Sequence, residues 1–442
     1  MKNSKTLINI IFFIFLSTNL LAQGVRFEQN ISWHQVLEKA KIENKIIFID
    51  AFTTWCGPCK MMDKTTYLNE EVGAAMQSKF IAIKVQMDRT ALDNQDIKNW
   101  YADADFLKSK FKVDAFPSLI FLSPNGELLN KETGYRDDSA FLQLTKSASN
   151  PTESFSRLVN LFRQGKISVP DQELLALRAK NYNETEIANQ VATSYLNNYL
   201  KKENPSLALV QNNKDFITEF AHLFNLTDPI AQYIYKNGKR IDSIAQNSGL
   251  SQRFTEYLIN KKYFDIEKLT RTKGVKWKKI EAEISRNFGK ETAQRLTVMN
   301  KIQFYKQLKD WENVVKYSIE QKDIEKETDT SAIGRARINN LVYEVIFTYT
   351  NNKEYLKKGI DYMQMVINAK DVRHEQLDTY ANILYKMGST DIAIEQEQKA
   401  IQLARTQNDL ENIPLYIQTI EKMKANEPTW KIIAKTIINP NI

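Results

Sequence analysis

Residues 46–60 read Ile46-Ile47-Phe48-Ile49-Asp50-Ala51-Phe52-Thr53-Thr54-Trp55-Cys56-Gly57-Pro58-Cys59-Lys60. The unbroken apolar run at 46–49 is the pattern of a central strand buried on both faces. It ends in a turn that carries two cysteines, and a helical pattern follows through Tyr67. Upstream, Ser32 is a candidate N-cap for a helix over 33–43, with Trp33, Val36, Leu37 and Ala40 at helical spacing. Downstream, further strands are predicted over 80–87 and 118–122. Pro124, Asn125 and Gly126 make the turn into a fourth at 127–131, and Phe141 and Leu144 belong to a closing helix. Helices interleaved with strands predict an α/β domain over 24–150.

The two cysteines are the only ones in 442 residues, and they share one motif. A Cys-x-x-Cys at the head of a helix has a physical use. Unpaired helix N–H groups and the positive end of the macrodipole favour a thiolate at Cys56, and Cys59, one turn on, can reach a disulfide formed there. Pro58 stiffens the turn and biases the balance between dithiol and disulfide, in a direction that rigidity alone does not fix. A lone pair can also be half of a zinc site. The other half needs further cysteines or spaced histidines, and His34, His222 and His374 are far apart, so no metal site is assigned.

These residues resemble the thioredoxin family. Trp55-Cys56-Gly57-Pro58-Cys59-Lys60 is identical to that family's active-site string. Asp50, six residues before Cys56, stands where thioredoxins keep a buried acid, and Lys84 lies in a string resembling the strand with its lysine partner. Phe116-Pro117-Ser118 fits the cis-proline segment, and Gly126 and Gly134 fall at two later glycines. The resemblance covers about a quarter of the chain and is strongest to exported thioredoxin-like proteins of Bacteroidota.

It implies roles. Cys56 would attack a substrate disulfide, Cys59 would resolve the mixed disulfide, and Asp50, moderated by Lys84, would take the Cys59 proton. Trp55, Gly57, Pro58, Phe116 and Pro117 would form the substrate-binding surface, with a cis Pro117 exposing a backbone edge for an extended substrate. No cofactor is implied beyond a redox-active Cys56–Cys59 disulfide. The chain is longer than the compact family pattern at 89–102, which reads either as a substrate-selecting flap beside the site or as a neutral surface excursion.

The rest of the sequence places this domain. Residues 1–23 read as a signal peptide, with Lys2 and Lys5 before an apolar run and Ala22 at the cleavage end. Export predicts the periplasm or another compartment of the bacterial envelope, with no integral membrane segment after cleavage. The net charge of +8 is small for this length and scattered, so no nucleic-acid partner is inferred.

After Pro151 the strand patterns stop. Amphipathic helices are predicted over 153–164, 173–181, 185–202, 215–226, 229–237 and 251–260, without clear repeats through 151–290. Over 291–442 the pattern becomes tetratricopeptide-like, with Ala381, Gly388, Ala393 and Ala400 at its small-residue positions. The expected fold class is therefore an α/β thioredoxin-like domain followed by an all-α array of helical hairpins.

The leading functional expectation is an exported thiol-disulfide oxidoreductase acting on protein thiols and disulfides in the reducing direction. It would be fed by an upstream membrane electron donor, and its helical region would bind protein. The alternatives are a helical interaction scaffold that uses the first domain for docking, and a client-specific envelope or cytochrome maturation factor.

Overall fold

The computed structural model describes residues 24–244, 249–272, 274–325 and 331–430. The expected signal peptide at 1–23 lies outside them. In the described residues up to 150, the elements follow in the order α1 (Trp33–Glu43), β1 (Ile46–Phe52), α2 (Gly57–Lys64), α3 (Glu70–Lys79), β2 (Phe80–Gln86), α4 (Gln95–Asn99), α5 (Tyr101–Lys110), β3 (Ser118–Leu122), β4 (Leu128–Thr133) and α6 (Asp138–Ala148). The four strands lie in the order β2-β1-β3-β4. β1 is parallel to β2 and antiparallel to β3, which is antiparallel to β4.

Local chemistry starts and stops these elements. Ser32 closes a capping box with Gln35 at the head of α1, and Asn44 ends the helix in the left-handed region at φ 49°. In β1 the odd residues Ile47, Ile49 and Ala51 pack with Val36 and Ala40 of α1 and Leu107 of α5. Phe48 faces the other layer, with Met62 of α2, Met76 of α3 and Phe141 of α6. Burial on both faces explains the continuous apolar run, each large side chain contributing about 1.5–3 kcal/mol. Asp50 interrupts that run, and it is buried as deeply as its neighbours.

Each edge of the sheet is partly covered. Phe27 forms a bridge beside Ala82 of β2. On the other edge, Tyr182 comes from the helical segment that follows. Its hydroxyl accepts the Lys131 backbone N–H of β4 at 3.0 Å and donates to Asn130 Oδ1 at 2.5 Å. Lys131 is itself buried, its ammonium donating to the carbonyls of Phe111, Lys112 and Tyr182 at 3.0, 3.2 and 3.3 Å.

The helices after residue 150 contain no strand among the described residues. They begin with α7 (Phe155–Arg163), α8 (Val169–Asn181) and α9 (Thr185–Tyr195). Chain contacts divide the molecule into two compact units at Gln252/Arg253, so these first helices belong with the sheet domain. The expected helix over 185–202 changes to a π-helical turn at Leu196–Leu200. The one over 215–226 breaks into Lys214–Glu219 and a 3₁₀ turn, Ala221–Leu223, letting Phe216, Phe220 and Phe224 all be buried.

In the second unit, successive helices pack as neighbours, among them Lys353–Ile367 with His374–Met387 and His374–Met387 with Thr390–Thr406. Ala381, Ala393 and Ala400 are fully buried between them, and Gly388 ends its helix at φ 103°. A Cβ at Gly359 would overlap the tip of the Ile383 side chain, which would have to turn aside to admit it.

Candidate functional site

Cys56 caps α2. Its Sγ accepts the Cys59 backbone N–H at 3.1 Å, and Pro58 lies in the first turn, where no helix hydrogen bond needs its missing N–H. Cys56 and Cys59 are joined as a disulfide with Cα atoms 5.4 Å apart. Both are buried, whereas Trp55, Gly57 and Pro58 around them are exposed. Nothing lies within 4 Å of where a side chain on Gly57 would point. The pair therefore sits under a rim of apolar, open surface.

The Phe116–Pro117 peptide is cis, and Pro117 is buried at the start of β3. Its carbonyl accepts the N–H of Gly134, which takes φ 93° to deliver it. Phe116 differs. Its peptide N–H and C=O have no hydrogen-bond partner among the described residues. Its ring meets that of Trp55 edge-on at 5.9 Å, and Trp55 is 70% exposed. An open peptide beside an exposed aromatic pair is the surface an extended chain can lie on.

Asp50 and Lys84 are partners in the β1/β2 register, and Lys84 Nζ is 3.4 Å from Asp50 Oδ2. Burial raises Asp50 to about 6 despite that lysine. The lysine's help is divided, because Lys84 also pairs with Asp63 on α2, and the Asp63 charge itself pushes Asp50 upward. The ammonium is further held over the rings of Phe52, Phe27 and Tyr67 at 5.0, 5.5 and 5.6 Å. Burial, followed by the Asp50 charge, holds the Tyr67 hydroxyl well above its usual value. A carboxyl near 6 is a group that exchanges protons close to neutral pH.

The sequence singled out nine residues, and the structure joins them in three groups. Cys56 and Cys59 form the disulfide, Asp50 and Lys84 the ion pair, and Trp55 and Phe116 the aromatic contact, with Gly57 and Pro58 between the cysteines and Pro117 after Phe116. Asp63 and Tyr67 were missed, since a surface-type acid and a helix-end tyrosine have no pattern pointing to Lys84.

Asp88 was missed as well. Its carboxylate accepts both the N–H of Thr54, at 3.0 Å, and the Thr54 hydroxyl, fixing the residue before Trp55. The 89–102 stretch that follows is a tight turn, then α4 and the start of α5. Asp93 organises it, accepting from Thr90, Gln86 and Tyr101. These bonds, the Thr90 hydroxyl first, hold its carboxyl well below the ordinary range.

A separate grouping lies in the second unit. His374, buried, has Tyr416 Oη at 2.8 Å from Nδ1 and Asp409 Oδ2 at 3.2 Å from Nε2, with Glu375 at 3.7 Å. Among the described residues it is the one set with metal-ligand chemistry. Both ring nitrogens already have partners, and Arg373 holds both Glu375 oxygens, so the set reads as a hydrogen-bonded knot within the helical unit. His374 and Asp409 are too far apart in sequence for spacing to announce them.

Comparison with known proteins agrees with this geometry. Residues 33–149 match a family model described as a thioredoxin-like domain. The chain is 30% identical over 106 residues to a thioredoxin H-type of Fagopyrum esculentum, an alignment covering 24% of this chain and 75% of that one. It is 31% identical over 109 residues to the thiol:disulfide interchange protein DsbD of Pseudomonas fluorescens, covering 24% of this chain and 17% of the relative. The chain thus spans about a sixth of that relative's length. Among solved structures, the DsbH oxidoreductase aligns at 22% identity and a TM-score of 0.26, over 30% of this chain and 89% of that one.

Proposed function

The chain belongs to the thioredoxin family, and from that premise we propose that it is an exported thiol-disulfide oxidoreductase that reduces disulfides in protein clients. The observation that carries the reading is the Cys56–Cys59 disulfide at the head of α2, flanked by the open Phe116 peptide and backed by the buried Asp50.

In the reducing direction, the Cys56 thiolate attacks one sulfur of a client disulfide. A mixed disulfide forms, and the client's other sulfur leaves as a thiolate. Asp50 then takes the Cys59 thiol proton, and the Cys59 sulfur attacks Cys56 Sγ. The Cys56–Cys59 disulfide forms and the client's second thiolate is released; two protons complete its two thiols. The protein is left oxidised by two electrons, so an upstream donor must reduce it again. For an exported protein that donor is a membrane protein. The redox centre is the cysteine pair itself, with no added cofactor and no nucleic acid.

The tetratricopeptide-like helical region would position protein partners. No helix among the described residues is long and apolar enough to cross a membrane, and the reading places the mature protein in the envelope. Trapping tests it. Cys59→Ala, expressed with its leader, should accumulate mixed disulfides between Cys56 and clients, identified by mass spectrometry, while Cys56→Ser should lose insulin reduction entirely. Full insulin reduction by Cys56→Ser would sink the reading. A measured reduction potential close to that of strong oxidants would reverse the direction.

A further inference from the structure

A cavity of about 800 Å³ opens among the helices Lys290–Gln307, Trp311–Glu325 and Ala332–Asn340, and all the residues that line it belong to the second unit. Along the first of these helices the lining side chains are Glu291, Arg295, Met299, Gln303 and Lys306. Steps of four and three residues keep them on one helix face. From Glu291 to Lys306 that face runs for about 22 Å at 1.5 Å per residue, the span of about six or seven residues of extended chain. A trench of this length exceeds a compact metabolite and matches a strand of polypeptide.

The trench contains a fixed polar pair. Asn300 Nδ2 donates to Asn260 Oδ1 at 2.8 Å and to the Leu296 carbonyl at 2.8 Å. Both asparagines line the cavity and are half-buried. Asn260 keeps its amide N–H groups and Asn300 its carbonyl oxygen, so a donor and an acceptor stand next to each other, the complement of one peptide group. Arg295, also in the lining, is clamped by both carboxylate oxygens of Glu256. Groups held in place beforehand lose little freedom when a partner arrives.

Charge selects the occupant. The cations Arg295, Lys306, Lys322 and Arg337 line the trench against the acids Glu291 and Glu325. Glu256 neutralises Arg295, and Glu325 stands 3.8 Å from Lys322. Lys306 and Arg337 have no carboxylate partner among the described residues, Glu291 included. The chain's own last residues, 431–442, carry Lys431 and Lys435 and no acid, so like charge sets them against this surface.

We propose that this trench binds an extended, acidic polypeptide segment, with carboxylates on Lys306 and Arg337 and one peptide group on the Asn260–Asn300 pair. The inference rests on the partner-positioning role given above to the helical region and names the class of partner. The thiol chemistry of Cys56 and Cys59 does not enter it.

Fluorescence anisotropy on the full-length oxidised protein at low salt tests it, using a labelled, end-capped heptapeptide with two glutamates and the same peptide with glutamines in their place. The acidic peptide should bind about tenfold more tightly. Lys306→Glu combined with Arg337→Glu should abolish that preference and favour a version of the peptide with two lysines, a reversal that misfolding cannot produce. Asn300→Ala should weaken the acidic and neutral peptides alike, by about threefold. Equal binding of the two peptides by the wild type, or an unchanged preference in the double variant, overturns the inference. Self-association in sedimentation velocity that the double variant loses would assign the trench to a second copy and overturn it as well. Insulin reduction is read separately on the same wild-type protein, and its absence alongside intact peptide binding would overturn the thiol-disulfide reading alone.

Discussion

Each of the two units buries a carboxylic acid, and each treats it differently. In the first, Asp50 has a lysine at 3.4 Å and is raised only to about 6. In the second, Glu397 is fully buried opposite Asp378, and burial together with the Asp378 charge pushes it far above the carboxylate range. Asp378 is raised too, again chiefly by burial. Two facing acids without a lysine share a proton at neutral pH and stay locked together. A facing lysine leaves the proton exchangeable. Burial alone makes an acid costly, and the identity of its partner decides whether it works as a proton carrier or as internal glue.

The comparison breaks most visibly at Asp50. Replacing it as Asp50→Asn should slow resolution of the Cys56 mixed disulfide at pH 7 by about a hundredfold or more, the usual scale of lost proton transfer. Stopped-flow tryptophan fluorescence reads that step, and a rate within threefold of the wild type would remove Asp50 from the proton path.

The same variant has a stability signature. The Asp50 pKa of about 6 in the oxidised native protein lies above its unfolded value of 3.8, so the native state binds more protons between those limits. Wild-type stability is therefore favoured below about pH 4 and falls as pH rises through 6. Asp50→Asn cannot titrate, so its stability relative to wild type should grow by about 2 kcal/mol between pH 4 and pH 7. Urea unfolding of the oxidised proteins measures the difference, and a flat difference contradicts the raised pKa.

Glu397→Gln sharpens the other side. An amide can replace the shared proton as donor to Asp378, so stability at pH 7 should change by less than about 1 kcal/mol. A loss of several kcal/mol would show that Glu397 is ionised. The smallest effect belongs to Asp63→Asn. Removing its charge frees Lys84 for Asp50 and lowers the Asp50 pKa by less than about one unit, following the direction of the Asp63 influence. NMR titration of the carboxyl carbon checks it, and an upward movement would overturn the assigned geometry.

The strands at 46–52 and 118–122 were legible because both faces are buried, which makes 46–49 and 119–122 unbroken apolar runs. The cysteine pair was legible because its chemistry needs one spacing. β4 was displaced, running from Leu128 to Thr133 where 127–131 was expected, because alternation on a partly covered edge strand is weak evidence of its ends. The supports of the site were invisible for another reason. Asp88 meets Thr54 across 34 residues, and Asp63 meets Lys84 across 21. Such pairs exist only after the sheet brings its loops together. The stretch at 89–102 was expected to be either a flap or a passive excursion, and no local pattern reveals that Asp93 organises its first turn.

Tyr182 against β4 has a consequence for how such proteins can evolve. The family's domain, 33–149 by comparison, looks like a cassette that recombination could lift out and join to other partners. Here its outer strand donates a backbone N–H to a tyrosine some thirty residues past that border, and its buried Lys131 ammonium donates to the same residue's carbonyl. A gene segment cut at the border would lose the tyrosine from the edge of β4 and one of the three carbonyls that hold Lys131. The portable piece of this protein is therefore larger than the family's domain and takes in the first helices that follow it.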